Sequence, residues 1–186
     1  LRDLSLRGIN AILVEKKELT SGTSGRNHGL LHSGARYAVN DPDSGRECIS
    51  ENLILKKIAP PCIEPSGGFF VSLPEDPPDY PDKLLSACER LGIPAREFPP
   101  LDLLQKEPGV SPRITRAVQV PDGSLDPFRL IRANVEDAER HGASFFSHWE
   151  VIEVLKERGI VQGVKVKDSR TGEIFPIQSR FVVNAG

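Results

Sequence analysis

Methionine does not occur in this sequence. The chain opens inside a helical pattern, Leu1-Arg2-Asp3-Leu4-Ser5-Leu6-Arg7, and stops at Phe181-Val182-Val183-Asn184-Ala185-Gly186, a strand-like run entering a glycine turn. The expectation is an excerpt from a longer protein. No apolar run approaches the ~20 residues of a helical membrane span, so no direct span is expected. Cysteine is scarce: Cys48, Cys62 and Cys88 lie far apart without C-x-x-C spacing. That pattern argues against a metal centre or disulfide framework and for reduced, mostly buried thiols in a cytoplasmic protein. Net charge is −2, which gives no electrostatic case for nucleic acid or an anionic membrane surface. Internal repeats and low-complexity tracts are absent.

What is present suits a soluble globular chain: 186 residues, 38% hydrophobic and 27% charged, enough for one large domain or parts of two. The organising stretch is Thr23 to Tyr37. It concentrates Gly25, Gly29, Gly34, His28, His32, Arg26 and Arg36. Glycines let a backbone approach something bulky. Arginines present forked donors suited to phosphate or carboxylate. The stretch reads as a loop and short helix around an anionic ligand.

Residues 1–7 read as the tail of a helix closed by Gly8. Ile9 to Val14 is nearly all apolar and reads as a buried parallel strand ending in an acid, Glu15. Helix, strand and acid in that order form the second half of a βαβ dinucleotide-binding unit, in which the acid bonds a ribose hydroxyl. Glu15 either plays that part or is a solvated strand-end carboxylate. The G-x-G-x-x-G turn that would complete the fingerprint is absent from the sequence.

Asp43-Ser44 can cap a helix to about Ala59, packed through Ile49, Leu53 and Ile58 and stopped by Pro60-Pro61. Phe69 to Leu73 reads as a strand. Leu84, Ala87, Cys88 and Leu91 mark an amphipathic helix. Leu101 to Glu107 suggests a second short helix, and Ala117 to Val120 a strand. Asp126-Pro127 opens a helix with Phe128, Ile131, Val135 and Ala138 on one face, ending near Gly142. Ala143 to Phe146 is a short strand. Residues 149–155, 160–167 and 173–177 read as three antiparallel strands with glycine-containing turns.

The run Gly25 to Tyr37, with Gly45 to Asn52 and Val120 to Leu130, closely resembles the large subunit of bacterial anaerobic glycerol-3-phosphate dehydrogenase. That family is a flavoprotein of the D-amino-acid-oxidase type, and the resemblance covers essentially all 186 residues. It implies an α/β fold: part of an FAD-binding Rossmann-like domain of a two-dinucleotide-domain flavoprotein, with a portion of an inserted α+β substrate domain. The implied boundaries are 1–61 and 125–186 for the FAD-binding domain and 62–124 for the substrate domain.

The resemblance also implies site residues. Thr23, Ser24, Gly25, Arg26, Asn27, His28 and Gly29 would follow the FAD pyrophosphate and ribityl chain, with Glu15 on the ribose. His28 is alternatively structural. The backbone at Val151 would meet adenine, and Ala185 and Gly186 would approach the pyrophosphate again. His32 would lie near the isoalloxazine ring, where it either accepts the substrate's alcohol proton or orients flavin or backbone. Arg36, beside Tyr37, would hold the phosphate of glycerol 3-phosphate. His141 and His148 are expected to have no catalytic role.

The implied reaction oxidises glycerol 3-phosphate to dihydroxyacetone phosphate, with hydride passing to flavin N5. Electrons would then leave through partner subunits to a quinone pool, placing the protein in the cytoplasm or peripherally on the inner face of the membrane. One alternative is an FAD-dependent 2-hydroxyacid oxidoreductase of the L-2-hydroxyglutarate type, against which Arg36 counts. Another is that residues 1–186 alone form an inert fragment.

Overall fold

Several helices in this chain are closed by glycines that take a left-handed backbone. Gly8 has φ 74°, which lets its N–H bond the Ser5 carbonyl at 2.9 Å and the Ile9 N–H bond the Leu4 carbonyl at 3.0 Å. Gly142, at φ 87°, closes a later helix in the same way through the Ala143 N–H and the Ala138 carbonyl. The computed structural model describes residues 1–185.

In chain order the elements begin with α1 (Arg2–Leu6), β1 (Ile12–Glu15), β2 (Leu30–Leu31) and α2 (Pro42–Ile58). Next come β3 (Ile63–Glu64), β4 (Gly68–Ser72), α3 (Tyr80–Leu91), β5 (Arg96–Phe98) and α4 (Pro100–Lys106). Then follow β6 (Arg116–Val120), β7 (Gly123–Leu125), α5 (Pro127–Arg140) and β8 (Ser144–Ser147). The last strands are β9 (Trp149–Glu157), β10 (Ile160–Asp168) and β11 (Ile174–Gln178). The chain forms two compact units: residues 1–27 with the chain from Pro127 onward, and His28–Asp126.

In the first unit β1 and β8 pair in parallel, from Ile12 opposite Ser144 to Glu15 opposite Ser147. Arg2 on α1 pairs with Asp137 on α5, tying those helices together. β9, β10 and β11 form an antiparallel meander. Its first hairpin turns on Arg158 (φ 51°) and Gly159 (φ 81°), the two left-handed positions of a tight primed turn. Trp149 stacks on Phe146 with ring centroids 4.0 Å apart and meets Phe175 edge-on at 4.8 Å. The fold class is thus α/β, with a parallel pair beside a separate meander.

Three expectations fail here. The strand begins at Ile12 rather than Ile9, and Ile9 and Ile12 are half exposed, because β8 is the sole strand paired with β1 among the described residues. Phe128 lies in the first turn of α5 and is exposed, while Ala138 is fully buried. Residues 181–185 form no strand, and Phe181 is 82% exposed.

The second unit holds two three-stranded antiparallel sheets, with β7 between β2 and β3 and β6 between β4 and β5. Helix α3 buries Leu84, Ala87 and Cys88 against Val118, Val120 and Ile49. Loop 33–40 packs on α2 at two glycines: a Cβ on Gly34 would lie 2.3 Å from the Gly45 carbonyl oxygen. The α2 cap is Asp41, whose side chain accepts the Ser44 N–H, with Pro42 opening the helix; the expected Asp43-Ser44 cap is displaced by two residues. Ile49 is buried as expected, but Leu53 (61% exposed) and Ile58 are not packed.

Candidate functional site

The glycine-histidine-arginine stretch is shared by the units, residues 23–27 in the first and 28–37 in the second. In the first unit, Thr23–Gly25 forms a single 3₁₀ turn continued by the Arg26 N–H bonding the Thr23 carbonyl at 3.0 Å. Asn27 Nδ2 donates to the Ser24 carbonyl at 2.8 Å. Thr23, Ser24, Arg26 and Asn27 are exposed. The Arg26 guanidinium has no carboxylate partner among the described residues. Glu15 ends β1 and accepts the Lys17 N–H at 2.9 Å.

Exposed hydroxyls, an uncommitted guanidinium and a strand-end carboxylate fit phosphate and ribose oxygens. Gly25 is also required by the turn itself. A Cβ there would sit 2.3 Å from the Thr20 carbonyl oxygen, so the turn's own closure demands glycine. Val151 lies on β9 opposite Val166, partly exposed. Ala185 is exposed and outside any strand, and Gly186 lies outside the described residues.

In the second unit the β2–β7 ladder does the positioning. Leu30 pairs with Ser124 and Leu31 with Gly123, so one step further His32 comes opposite Asp122. His32 Nδ1 lies 4.0 Å from Asp122 Oδ2. Asp122 Oδ1 accepts the Ser33 N–H at 2.7 Å. From α2, Lys56 Nζ donates to the Pro121 carbonyl at 2.6 Å. Asn52, also on α2, donates to the carbonyls of Leu31 and His32. Asn52 Oδ1 and Ser33 Oγ are buried without a partner among the described residues.

His28 Nδ1 accepts the Leu30 N–H at 3.0 Å, and its ring meets that of His32 edge-on, centroids 5.3 Å apart. Burial pushes the His32 pKa below the ordinary value; Asp122 opposes this, while His28 and Arg36 add to it. The net direction favours a neutral imidazole, the form that accepts a proton. Gly29, at φ 65°, backs onto the Leu125 carbonyl.

Arg36 is exposed, its guanidinium carbon 5.7 Å from the Tyr37 ring centroid. Residues 34–40 form successive tight turns, with the Tyr37 N–H on the Gly34 carbonyl and the Ala38 N–H on the Ala35 carbonyl. The short helix expected in this stretch is therefore replaced at residues 34–40 by turns, and the Arg36 charge acts on His32 from them. His141 bonds the Asp137 carbonyl and His148 pairs with Glu18, both away from this cluster in sequence and hydrogen bonding. Sequence reasoning overlooked Asp122, Asn52 and Lys56. Asp122 lies in the run Val120 to Leu130 that carried the resemblance, but nothing local pointed it at His32.

Residues 1–186 match the family described as FAD dependent oxidoreductase. A subunit of the anaerobic glycerol-3-phosphate dehydrogenase of Escherichia coli (strain K12) is 50% identical over 184 residues, covering 99% of this chain and 34% of that protein. The corresponding protein of Haloferax volcanii is 47% identical over 193 residues, covering 99% of this chain and 33% of that protein. The chain thus spans about a third of the length of these curated relatives.

Among solved structures, L-proline dehydrogenase from P. horikoshii superposes with a TM-score of 0.75 at 23% identity, covering 99% of this chain and 48% of that one. Glycerol-3-phosphate dehydrogenase from Bacillus halodurans, complexed with FAD, gives 0.68 at 22% identity, covering 96% and 29%. At those identities the likeness shows the fold alone. The family match runs from α1 through the 23–37 stretch to the end of the meander, and the chain belongs to the FAD dependent oxidoreductase family.

Proposed function

We propose that the protein containing this chain oxidises sn-glycerol 3-phosphate to dihydroxyacetone phosphate. The observation that carries the reading is a half-buried His32, biased toward its neutral form, four residues from an exposed Arg36 in a chain half identical to a glycerol-3-phosphate dehydrogenase component.

Each residue has a definite task. Arg36 takes the substrate phosphate, its planar fork gripping two oxygens, with Tyr37 stacked beside it. His32 accepts the proton of the carbon 2 hydroxyl. Thr23, Ser24 and Arg26 hold the cofactor pyrophosphate, with Gly25, Asn27, His28 and Gly29 shaping that segment. Glu15 bonds ribose hydroxyls, Val151 offers backbone to adenine, and Ala185 and Gly186 complete the pyrophosphate contact. FAD, when bound, supplies the acceptor for the hydride leaving carbon 2.

Electrons then pass through partner subunits to a quinone. The Escherichia coli relative is named as a subunit, which supports partner subunits, and in this reading the complex sits peripherally at the inner membrane face. Among the described residues no helix is long and apolar enough to cross a membrane.

The test is dye reduction by the full-length protein with glycerol 3-phosphate or L-2-hydroxyglutarate as sole reductant. Reduction with the phosphate ester and not with the hydroxyacid is expected. The reverse preference would replace this reading with the 2-hydroxyacid one.

A further inference from the structure

The β2–β7 register leaves one carboxylate beside the proposed base, and its two oxygens are placed differently. Asp122 Oδ1 is fixed by the Ser33 N–H at 2.7 Å, while Oδ2 faces His32 Nδ1 at 4.0 Å. The backbone on both sides of this pair is tied to α2. Asn52 holds the His32 carbonyl at 3.1 Å, and Lys56 holds the Pro121 carbonyl at 2.6 Å. The side chains of His32 and Asp122 are 22% and 12% exposed, so their charges are only partly screened by water.

We propose that Asp122 is the positioning residue for His32: its carboxylate faces Nδ1, sets the hydrogen on that nitrogen, and leaves Nε2 as the proton acceptor. At 4.0 Å the contact is longer than a hydrogen bond, so in the resting state it acts through charge. The proposal rests on the reading of His32 as the base for carbon 2. In that step the substrate O–H bond breaks and its proton goes to Nε2. The C–H electron pair leaves as hydride to the flavin, and the oxygen's pair forms the ketone. The ring then carries a positive charge facing Asp122, which offsets it.

The other groups facing His32 do the opposite. His28, Arg36 and burial all disfavour a charged ring. Lys56 lies near Asp122 and offsets part of its charge. Cys88 on α3 also senses Asp122, but burial pushes its thiol up to about 11, so it is neutral at working pH. Asp122 is therefore the group that makes a protonated His32 tolerable in this setting.

The test uses full-length, FAD-containing protein as wild type, Asp122→Asn, Asp122→Glu and His32→Gln. The rate of His32 carbethoxylation by diethyl pyrocarbonate, followed by peptide mass spectrometry across pH, reports its pKa without reference to turnover. Asp122→Asn should lower that pKa by about one unit, the size of a nearby charge's effect. In glycerol 3-phosphate assays kcat should fall about 10- to 100-fold, at or below the contribution of a positioned acid–base group. KM and FAD content should stay near wild type, and the acid limb should move to lower pH. Asp122→Glu should recover part of both readouts.

An unmoved His32 pKa in Asp122→Asn, or lost turnover with an unmoved acid limb, overturns the proposal. A shifted His32 pKa in a protein that does not oxidise glycerol 3-phosphate supports the pair and removes the substrate assignment instead.

Discussion

Asn52 Nδ2 donates from the buried face of α2 to the main-chain carbonyl of His32, at 3.1 Å. A second hydrogen bond from the same nitrogen reaches Leu31 at 3.3 Å. The candidate base is thus held through its backbone by a helix that contributes no reacting group.

Replacing Asn52 with leucine should destabilise the protein. It leaves buried carbonyls without donors, and each such loss costs about 1–3 kcal/mol. Urea unfolding of the full-length protein is the measurement. A midpoint unchanged from wild type would mean that water or neighbouring chain replaces both bonds.

Gly34→Ala should be more disruptive than its size suggests. The new Cβ would meet the Gly45 carbonyl oxygen at 2.3 Å, and φ at position 34 is 90°. Overpacking and left-handed strain each cost about 1–3 kcal/mol. A fall in Tm of several degrees is expected by calorimetry, and Gly22→Ala, with open space around its Cβ, should cause little change.

His32 gives stability a pH slope whose sign follows from its environment. Burial, the largest influence, lowers its pKa, so the unfolded chain binds the proton more readily than the folded one. The contribution is therefore complete above the ordinary histidine value of about 6.5. It is lost as pH falls through that value toward the lower folded one. Unfolding free energies of wild type and His32→Gln, measured between about pH 5 and 8, should converge or cross toward the acid side. A difference constant across the range would contradict the burial argument.

Glu15→Ala should weaken FAD retention in the full-length protein. A charge-assisted hydrogen bond to ribose contributes about 1.5–3 kcal/mol. Equilibrium titration of the apoprotein with FAD checks this, and wild-type affinity would leave Glu15 as a surface acid bonded only to Lys17.

Much of the fold was legible because its signals are local. Gly8 and Gly142 mark helix ends, the spacing of Leu84, Ala87 and Cys88 marks α3, and Arg158-Gly159 marks a hairpin. The strands β2, β3, β5 and β7 are two or three residues long, too short to show a period. Periodicity also cannot say which apolar face another element covers, as exposed Leu53 and Ile58 illustrate. In the site, His32, Arg36 and Glu15 were legible as residue types in a pattern. Asp122 was not, because its approach depends on a ladder joining segments 89 residues apart. The glycines at 25 and 34 were legible as residues, but the backbone that crowds each, at Thr20 and at Gly45, is set by the folded chain and not by the local sequence.

Arg36 carries the substrate assignment. A small phosphorylated alcohol offers few apolar atoms, so its phosphate must supply much of the binding. The decisive measurement is KM for glycerol 3-phosphate in full-length wild type, Arg36→Lys and Arg36→Ala, each with its FAD content determined. The account predicts a clear rise for lysine, which keeps the charge but loses the planar fork, and a larger rise for alanine, with FAD content intact. Equal KM values across the three proteins would contradict it and remove Arg36 from the phosphate site.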